Sequence, residues 1–190
     1  NISFKVNENE IIGILGPNGC GKTTTIGMIL GLLKPTKGKV LINGIEIEKQ
    51  RVDLLNELNF ISPYIELPKK LTVKQNLEVY GRLYDVKELR IKIDYLSEKL
   101  RLNEFINKIT GELSSGQKNR VSLAKSIIND PSVLLLDEPT ASLDPETGDF
   151  VRSFLEEYQK EKKTSILLAS HNMAEVERLC SSVLMMNKGS

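Results

Sequence analysis

Apolar positions along this chain fall into two kinds of run. Short unbroken stretches at Ile11–Leu15 and at 133–136, 165–169 and 182–186 are too brief for helices and predict strands buried on both faces. Val40-Leu41-Ile42 before Asn43-Gly44 reads as a strand entering a turn, and Asn59-Phe60-Ile61 as a strand that stops at Ser62-Pro63. Elsewhere the period is helical. Residues 24–33, 146–160 and Met173–Leu179 predict helices, with Gly31 weakening the end of the first. From Val73 to about Ile128 the pattern is mainly helical: Leu89, Ile93, Leu96 and Leu100 recur every three or four residues, and 117–128 does likewise. The pattern predicts one α/β body interrupted by a helical insertion.

Composition narrows the class. A chain of 190 residues, 40% hydrophobic and 27% charged, suits one globular domain with a sizeable core. A net charge of +1 gives no global pull towards nucleic acid. Residues 69–125 hold 13 basic and 7 acidic side chains, a local excess that suits either a lipid or partner surface or a solvated helical face. Cys20 and Cys180 have neither the number nor the spacing of a disulfide framework or zinc site, in keeping with a reducing cytoplasm. No stretch reaches the roughly 18 apolar residues of a membrane span, and no signal peptide is visible. The chain opens at Asn1-Ile2-Ser3-Phe4, already in a strand-like alternation, and reads as a trimmed domain.

The most specific signal is Gly16-Pro17-Asn18-Gly19-Cys20-Gly21-Lys22-Thr23, set between an apolar strand and a helix. Glycines let the backbone curl until several N–H groups face one anion. The following helix, beginning near Thr24, directs its positive end at the same anion. Lys22 is the residue type that pairs with β- and γ-phosphates, and the Thr23 hydroxyl the type that ligates magnesium. These residues predict ATP and Mg2+ as cofactors. Cys20 sits at a variable position and reads as a passive small residue.

A second apolar strand ends in Asp137-Glu138. Two carboxylates at the end of a buried strand are costly unless they have work. Beside a phosphate loop, Asp137 is placed to hold magnesium through water, and Glu138 to polarise or deprotonate an attacking water.

Together these residues resemble the nucleotide-binding domain of ABC transporters, over almost the whole chain. Leu113-Ser114-Ser115-Gly116-Gln117 is similar to the family's signature LSGGQ, with Ser115 where a glycine is usual. Asp137-Glu138-Pro139-Thr140 resembles its magnesium and catalytic-base segment, and Ser142-Leu143-Asp144 the loop that crosses its dimer interface. Ser170-His171-Asn172 resembles the switch that touches the γ-phosphate, and His171 is the single histidine of the chain. The resemblance implies a P-loop NTPase with a RecA-like core and mixed sheet, made of residues 1–64 and 129–190, and a helical subdomain at 65–128 that carries the signature. It implies catalytic roles for Lys22, Glu138 and His171, and a nucleotide site completed by Ser114, Ser115, Gly116, Gln117 and Asp144 of a second copy or a homologous ATPase domain. A transmembrane permease subunit is the other implied partner, docking on the stretch from Pro63 to Asp85, with the chain on the cytoplasmic face of the cell membrane and no nucleic acid. The stretches 117–124 and 171–176 resemble the exporter-like branch.

One departure stands out. The family places a glutamine at the end of the strand before the helical insertion, and here Pro63 falls there, between Ser62 and Tyr64, with Gln75 too far along to fill the position. Proline offers no side-chain ligand, which motivates a regulatory, poorly hydrolysing reading; intact Lys22, Asp137, Glu138 and His171 argue against it. The family's base-stacking aromatic falls upstream of this chain, and Phe4 reads as core. The alternative class is a soluble ABC-type ATPase acting on ribosomes or DNA. DNA-repair relatives insert long coiled coils, yet only about 90 residues separate Gly21 from Leu113 and no sustained heptads occur; ribosome-acting relatives carry two such domains in tandem.

Overall fold

The computed structural model describes residues 2–63, 65–187 and 189. In chain order its strands are β1 (Ile11–Leu15), β2 (Leu41–Ile42), β3 (Ile45–Glu46), β4 (Leu58–Ile61), β5 (Val133–Asp137), β6 (Ser165–Ser170) and β7 (Ser182–Met185). Five of them form one parallel sheet in the order β4-β5-β6-β1-β7. The antiparallel component of the expected mixed sheet stands apart, as the β2–β3 hairpin. Asn43, at φ 51°, and Gly44, at φ 78°, make the left-handed turn that such a hairpin requires.

Strands β1, β5 and β6 read as continuous apolar runs because both faces of the sheet are covered there; β7, expected to be buried on both faces, lies at the sheet edge with Ser182, Val183 and Met185 exposed. Period-two alternation sends Leu134, Leu136, Ile166 and Leu168 into one hydrophobic cluster and Leu135, Leu167 and Ala169 into another. Ile2, Phe4 and Val6 alternate into the second cluster, as a strand would, yet residues 2–7 pair with no strand among the described residues. The expected opening strand is therefore an extended segment held by side chains alone; Phe4 is core, and Asn1 lies outside the described residues.

Seven helices complete the molecule among the described residues: α1 (Lys22–Ile29), α2 (Arg51–Glu57), α3 (Val73–Leu83), α4 (Leu89–Lys99), α5 (Ser115–Ser126), α6 (Pro145–Lys162) and α7 (Met173–Leu179). Helix α1 starts two residues before the expected position and ends four residues early, because Gly31 turns left-handed (φ 65°) and the Leu32 and Leu33 amides fold back to the Gly27 carbonyl. Helix α2 has no counterpart in the apolar pattern: only Leu54 is buried on it.

The helical stretch packs α3, α4 and α5 onto the same cluster that covers one face of the sheet. Leu77, Leu96, Leu100, Val121 and Leu123 are fully buried there, and each such leucine contributes about 2 kcal/mol relative to exposure. Helix α3 begins with a reciprocal cap: the Gln75 amide donates to Thr72 Oγ1 (3.1 Å) and the Thr72 amide to Gln75 Oε1 (2.9 Å). Gln75 is thus committed to helix initiation. At the seam with the sheet, buried Lys125 donates to Asn59 Oδ1 (2.9 Å) and lies 5.1 Å from the centroids of both Phe60 and Tyr80. Burial lowers its pKa to about 8.

Candidate active site

The register of the sheet gathers the site. Leu15 lies abreast of Ser170, Asp137 of Ala169 and Ile61 of Leu136, so β1, β6, β5 and β4 end together at one edge. The carboxyl edge of such a sheet is where ligands bind, because the loops leaving it are free of the hydrogen-bond ladder. The phosphate loop, His171, Glu138 and Ser62 all leave from it.

In the loop, Gly16 is buried, while Pro17, Asn18 and Gly19 are exposed at the crest. A Cβ on Gly16 would collide with the Met186 carbonyl oxygen and come within 2.6 Å of Cys20 Sγ. Gly19 (φ 79°) and Gly21 (φ 113°) take left-handed conformations that side chains resist, and Gly21 opens α1. Cys20 is buried in the second cluster, as a passive packing residue. Thr24 is exposed on the first turn of α1. The Lys22 ammonium bends back over the loop, donating to the Gly16 carbonyl (2.7 Å) and the Pro17 carbonyl (3.4 Å), and lies 3.8 Å from Glu138 Oε1.

Thr23 Oγ1 donates to Asp137 Oδ2 at 3.0 Å, and the Ser62 hydroxyl also hydrogen-bonds the Asp137 carboxylate. Burial, more than the neighbouring Glu138, pushes the Asp137 pKa up, and these two hydroxyls and Lys22 pull it down. Two hydroxyls beside one buried carboxylate, all hard oxygen ligands, fit a magnesium ion. Pro63 supplies nothing to this cluster; its neighbour Ser62 does, from the end of the adjacent strand. Tyr64, on the other side, lies outside the described residues.

Glu138 follows directly. Its backbone is left-handed (φ 51°), a conformation costing about 1 kcal/mol for a residue with a side chain. Its amide donates to the Ala169 carbonyl (2.8 Å), which holds the turn against β6. His171 Nδ1 lies 2.8 Å from Glu138 Oε2. The histidine ring is 58% exposed, whereas the Glu138 side chain is only 14% exposed, so the pair meets at the mouth of the site.

The signature residues start α5. Ser114 is the N-cap, its Oγ accepting the Gln117 amide (3.3 Å) while Gln117 Oε1 accepts the Ser114 amide (3.1 Å). Ser115 is the first helical residue and is absent from the positive-φ positions, which is why serine stands here in place of glycine without strain. Gly116 sits against Thr147 of α6, whose methyl a Cβ would approach to 3.2 Å. Asp144 caps α6, its carboxylate accepting the Thr147 amide (2.9 Å). Pro63, Ser115, Asn119, Glu138 and Leu143 line one cleft of about 220 Å³.

Sequence reasoning gave no role to two polar residues that hold this edge together, Asn119 and Glu175. Asn119 donates from α5 to the Pro139 carbonyl (2.7 Å). Glu175, 1% exposed on α7, accepts Thr140 Oγ1 and Ser170 Oγ, each at 2.7 Å. One signal was available: Glu175 lies four residues before buried Leu179 and next to buried Val176, hence on the inward face of α7.

Comparison with known proteins agrees with this geometry. The family model described as ABC transporter matches residues 1–141. The ABC transporter ATP-binding protein NatA of Bacillus subtilis is 36% identical over 99% of this chain and 77% of its own length. The Nod factor export ATP-binding protein I of Rhizobium johnstonii is 39% identical over 99% of this chain, which spans 61% of that relative. A dimeric ATP-binding cassette in a post-hydrolysis state, bound to ADP and Pi, superposes on the whole chain with a TM-score of 0.89 at 26% identity. The protein cbiO1 of Clostridium perfringens, described as part of the ABC transporter complex cbiONQ, matches over 99% of this chain and 77% of its own with a TM-score of 0.86 at 32% identity. By its motifs, its fold and these relatives, the chain belongs to the ABC transporter family, as one of the family's ATP-binding and ATP-hydrolysing domains.

Proposed function

We propose that this domain powers export across a membrane by hydrolysing ATP at a head-to-tail dimer interface. The observation that carries the reading is the single cluster at the sheet edge: Lys22 Nζ lies 3.8 Å from Glu138 Oε1, Glu138 Oε2 lies 2.8 Å from His171, and Thr23 bonds Asp137 beside them. In this reading the loop from Gly16 to Thr24, through the amides from Asn18 onward, and the Lys22 ammonium hold the β- and γ-phosphates. Magnesium, held by Thr23 and Asp137 with Ser62 behind them, would neutralise phosphate charge. Glu138 Oε1 is buried, accepts no hydrogen bond among the described residues and lies 3.8 Å from the Lys22 ammonium; this reading assigns it the proton from water. That water adds to the γ-phosphorus, the bond to the β-phosphate oxygen breaks, and ADP leaves with the electron pair. His171 fixes the Glu138 carboxylate and reaches the γ-phosphate from its exposed face. Ser114, Ser115, Gly116 and Gln117, with Asp144, close the site from the second copy. The dimeric cassette among the structural relatives supports pairing of two copies, and the name of the Nod factor export relatives supports export; the membrane partner at the cytoplasmic face belongs to the proposal.

The test uses full-length protein. Wild type should hydrolyse ATP with magnesium, and Glu138→Gln should retain ATP binding while turnover falls by about three orders of magnitude. Equal turnover in the two proteins would remove Glu138 from the chemistry.

A further inference from the structure

The carboxylate of Glu175 is almost wholly buried, and among the described residues no cation lies within ion-pair distance of it. A buried charge without a counter-ion persists only where hydrogen bonds to it are strong and geometrically fixed. Its two oxygens are divided between two loops. Oε1 accepts the Thr140 hydroxyl at 2.7 Å, two residues after Glu138. Oε2 accepts the Ser170 hydroxyl at 2.7 Å, one residue before His171. Ser170 Oγ in turn accepts the Asn172 amide at 3.1 Å, so the oxygen that anchors the loop also shapes the turn carrying His171. The same Pro139–Thr140 segment is held from the opposite side by Asn119 of the signature helix, through the Pro139 carbonyl.

We propose that Glu175 is a positioning residue: a buried two-armed latch that sets the Glu138 loop and the His171 loop in register, so that the Glu138–His171 contact forms. The inference rests on the reading of Glu138 as the group that activates water. The sheet alone does not fix that contact. β5 and β6 are in register only as far as Asp137 and Ala169, and one further bond, from the Glu138 amide to the Ala169 carbonyl, continues it. Beyond that point the two loops are joined through Glu175. Misplacing a reacting group by about 1 Å costs up to about 100-fold in rate, so loosening the latch should lower turnover without weakening nucleotide binding, which belongs to the Gly16–Thr23 loop.

The experiment compares full-length wild type with Glu175→Leu, Thr140→Val and Thr140→Ser by hydrogen exchange and by ATP turnover. Glu175→Leu should raise amide exchange at residues 139–143 and 171–172 by about tenfold, leaving β5 and β6 protected. Its kcat should fall about tenfold with ATP affinity within about twofold of wild type. Thr140→Val should loosen 139–143 and lower kcat, and Thr140→Ser, which keeps the hydroxyl, should restore both. Wild-type exchange in the two loops of Glu175→Leu overturns the latch, as does a rise spread evenly over α7 and the sheet, which marks ordinary packing. If Glu175→Leu does not fold, Thr140→Val decides alone, and wild-type exchange at 139–143 in that variant overturns the proposal. Absence of turnover in wild type would count against the proposed function, while the exchange pattern still decides the latch.

Discussion

Ser62 and Pro63, adjacent in the chain, differ sharply in what they offer a metal site. Pro63 stands where the family places a glutamine, and its ring has no donor or acceptor to offer. The β4–β5 register ends with Ile61 abreast of Leu136, so Ser62 and Asp137 each come one residue later, and the Ser62 hydroxyl bonds that carboxylate. Replacing it with alanine should weaken Mn2+ binding to the ATP-loaded protein by about tenfold, read by electron paramagnetic resonance, with metal-free nucleotide affinity unchanged. Gly16 is legible from sequence as part of a motif, but its individual necessity is not. That follows from the Met186 carbonyl, which arrives from a strand 170 residues later in the chain. Gly16→Ala should cost about 3 kcal/mol in denaturant unfolding and abolish ATP binding. The motif residues were readable because phosphate chemistry dictates their types and spacing. Asn119 was not, and for Glu175 helical spacing marks only an inward face, because a buried hydrogen bond between distant segments leaves no trace of its partner in the sequence.

Elements were readable to the extent that burial on one or both faces governs them. The strands of the parallel sheet announce themselves as unbroken apolar runs, and α4 and α5 as three-to-four spacings. Helix α2 did not, because it buries one residue, and the opening segment alternates like a strand but finds no partner edge among the described residues. Helix α5 carries a burden of its own at its C-terminal end. Lys125 is buried between Phe60 and Tyr80, and its folded pKa of about 8 lies below the 10.5 of an unperturbed lysine. The unfolded chain therefore holds more protons between these values. The contribution of Lys125 to stability is complete above pH 10.5 and is lost as pH falls through 8. Raising pH from 7.5 to 9.5 should shift the stability difference between wild type and Lys125→Met in favour of wild type by about 2 kcal/mol, measured by denaturant unfolding.

Across the whole molecule, the basic excess at 69–125 is partly spent inside the fold. Lys92 pairs with Asp130 at 2.6 Å, Arg101 lies over Phe150, Arg120 lies over Phe105, and Lys125 is buried. The surface charge available to lipid or partner is smaller than composition implies. No helix among the described residues is long and apolar enough to cross a membrane. The proposed mechanism draws on two copies. Lys22, Thr23, Asp137, Glu138 and His171 share one sheet edge, whereas Ser114 opens a helix of the insertion, and its oxygen and that of Gln117 are committed to capping each other. What the signature presents to a phosphate is the amide-lined start of α5, from another copy.

Sedimentation of full-length Glu138→Gln with and without ATP tests that claim most directly. The account predicts an ATP-dependent shift from monomer to dimer, abolished by adding Ser114→Arg. A protein that binds ATP and remains monomeric at every concentration, or that dimerises equally well with Ser114→Arg, would contradict it.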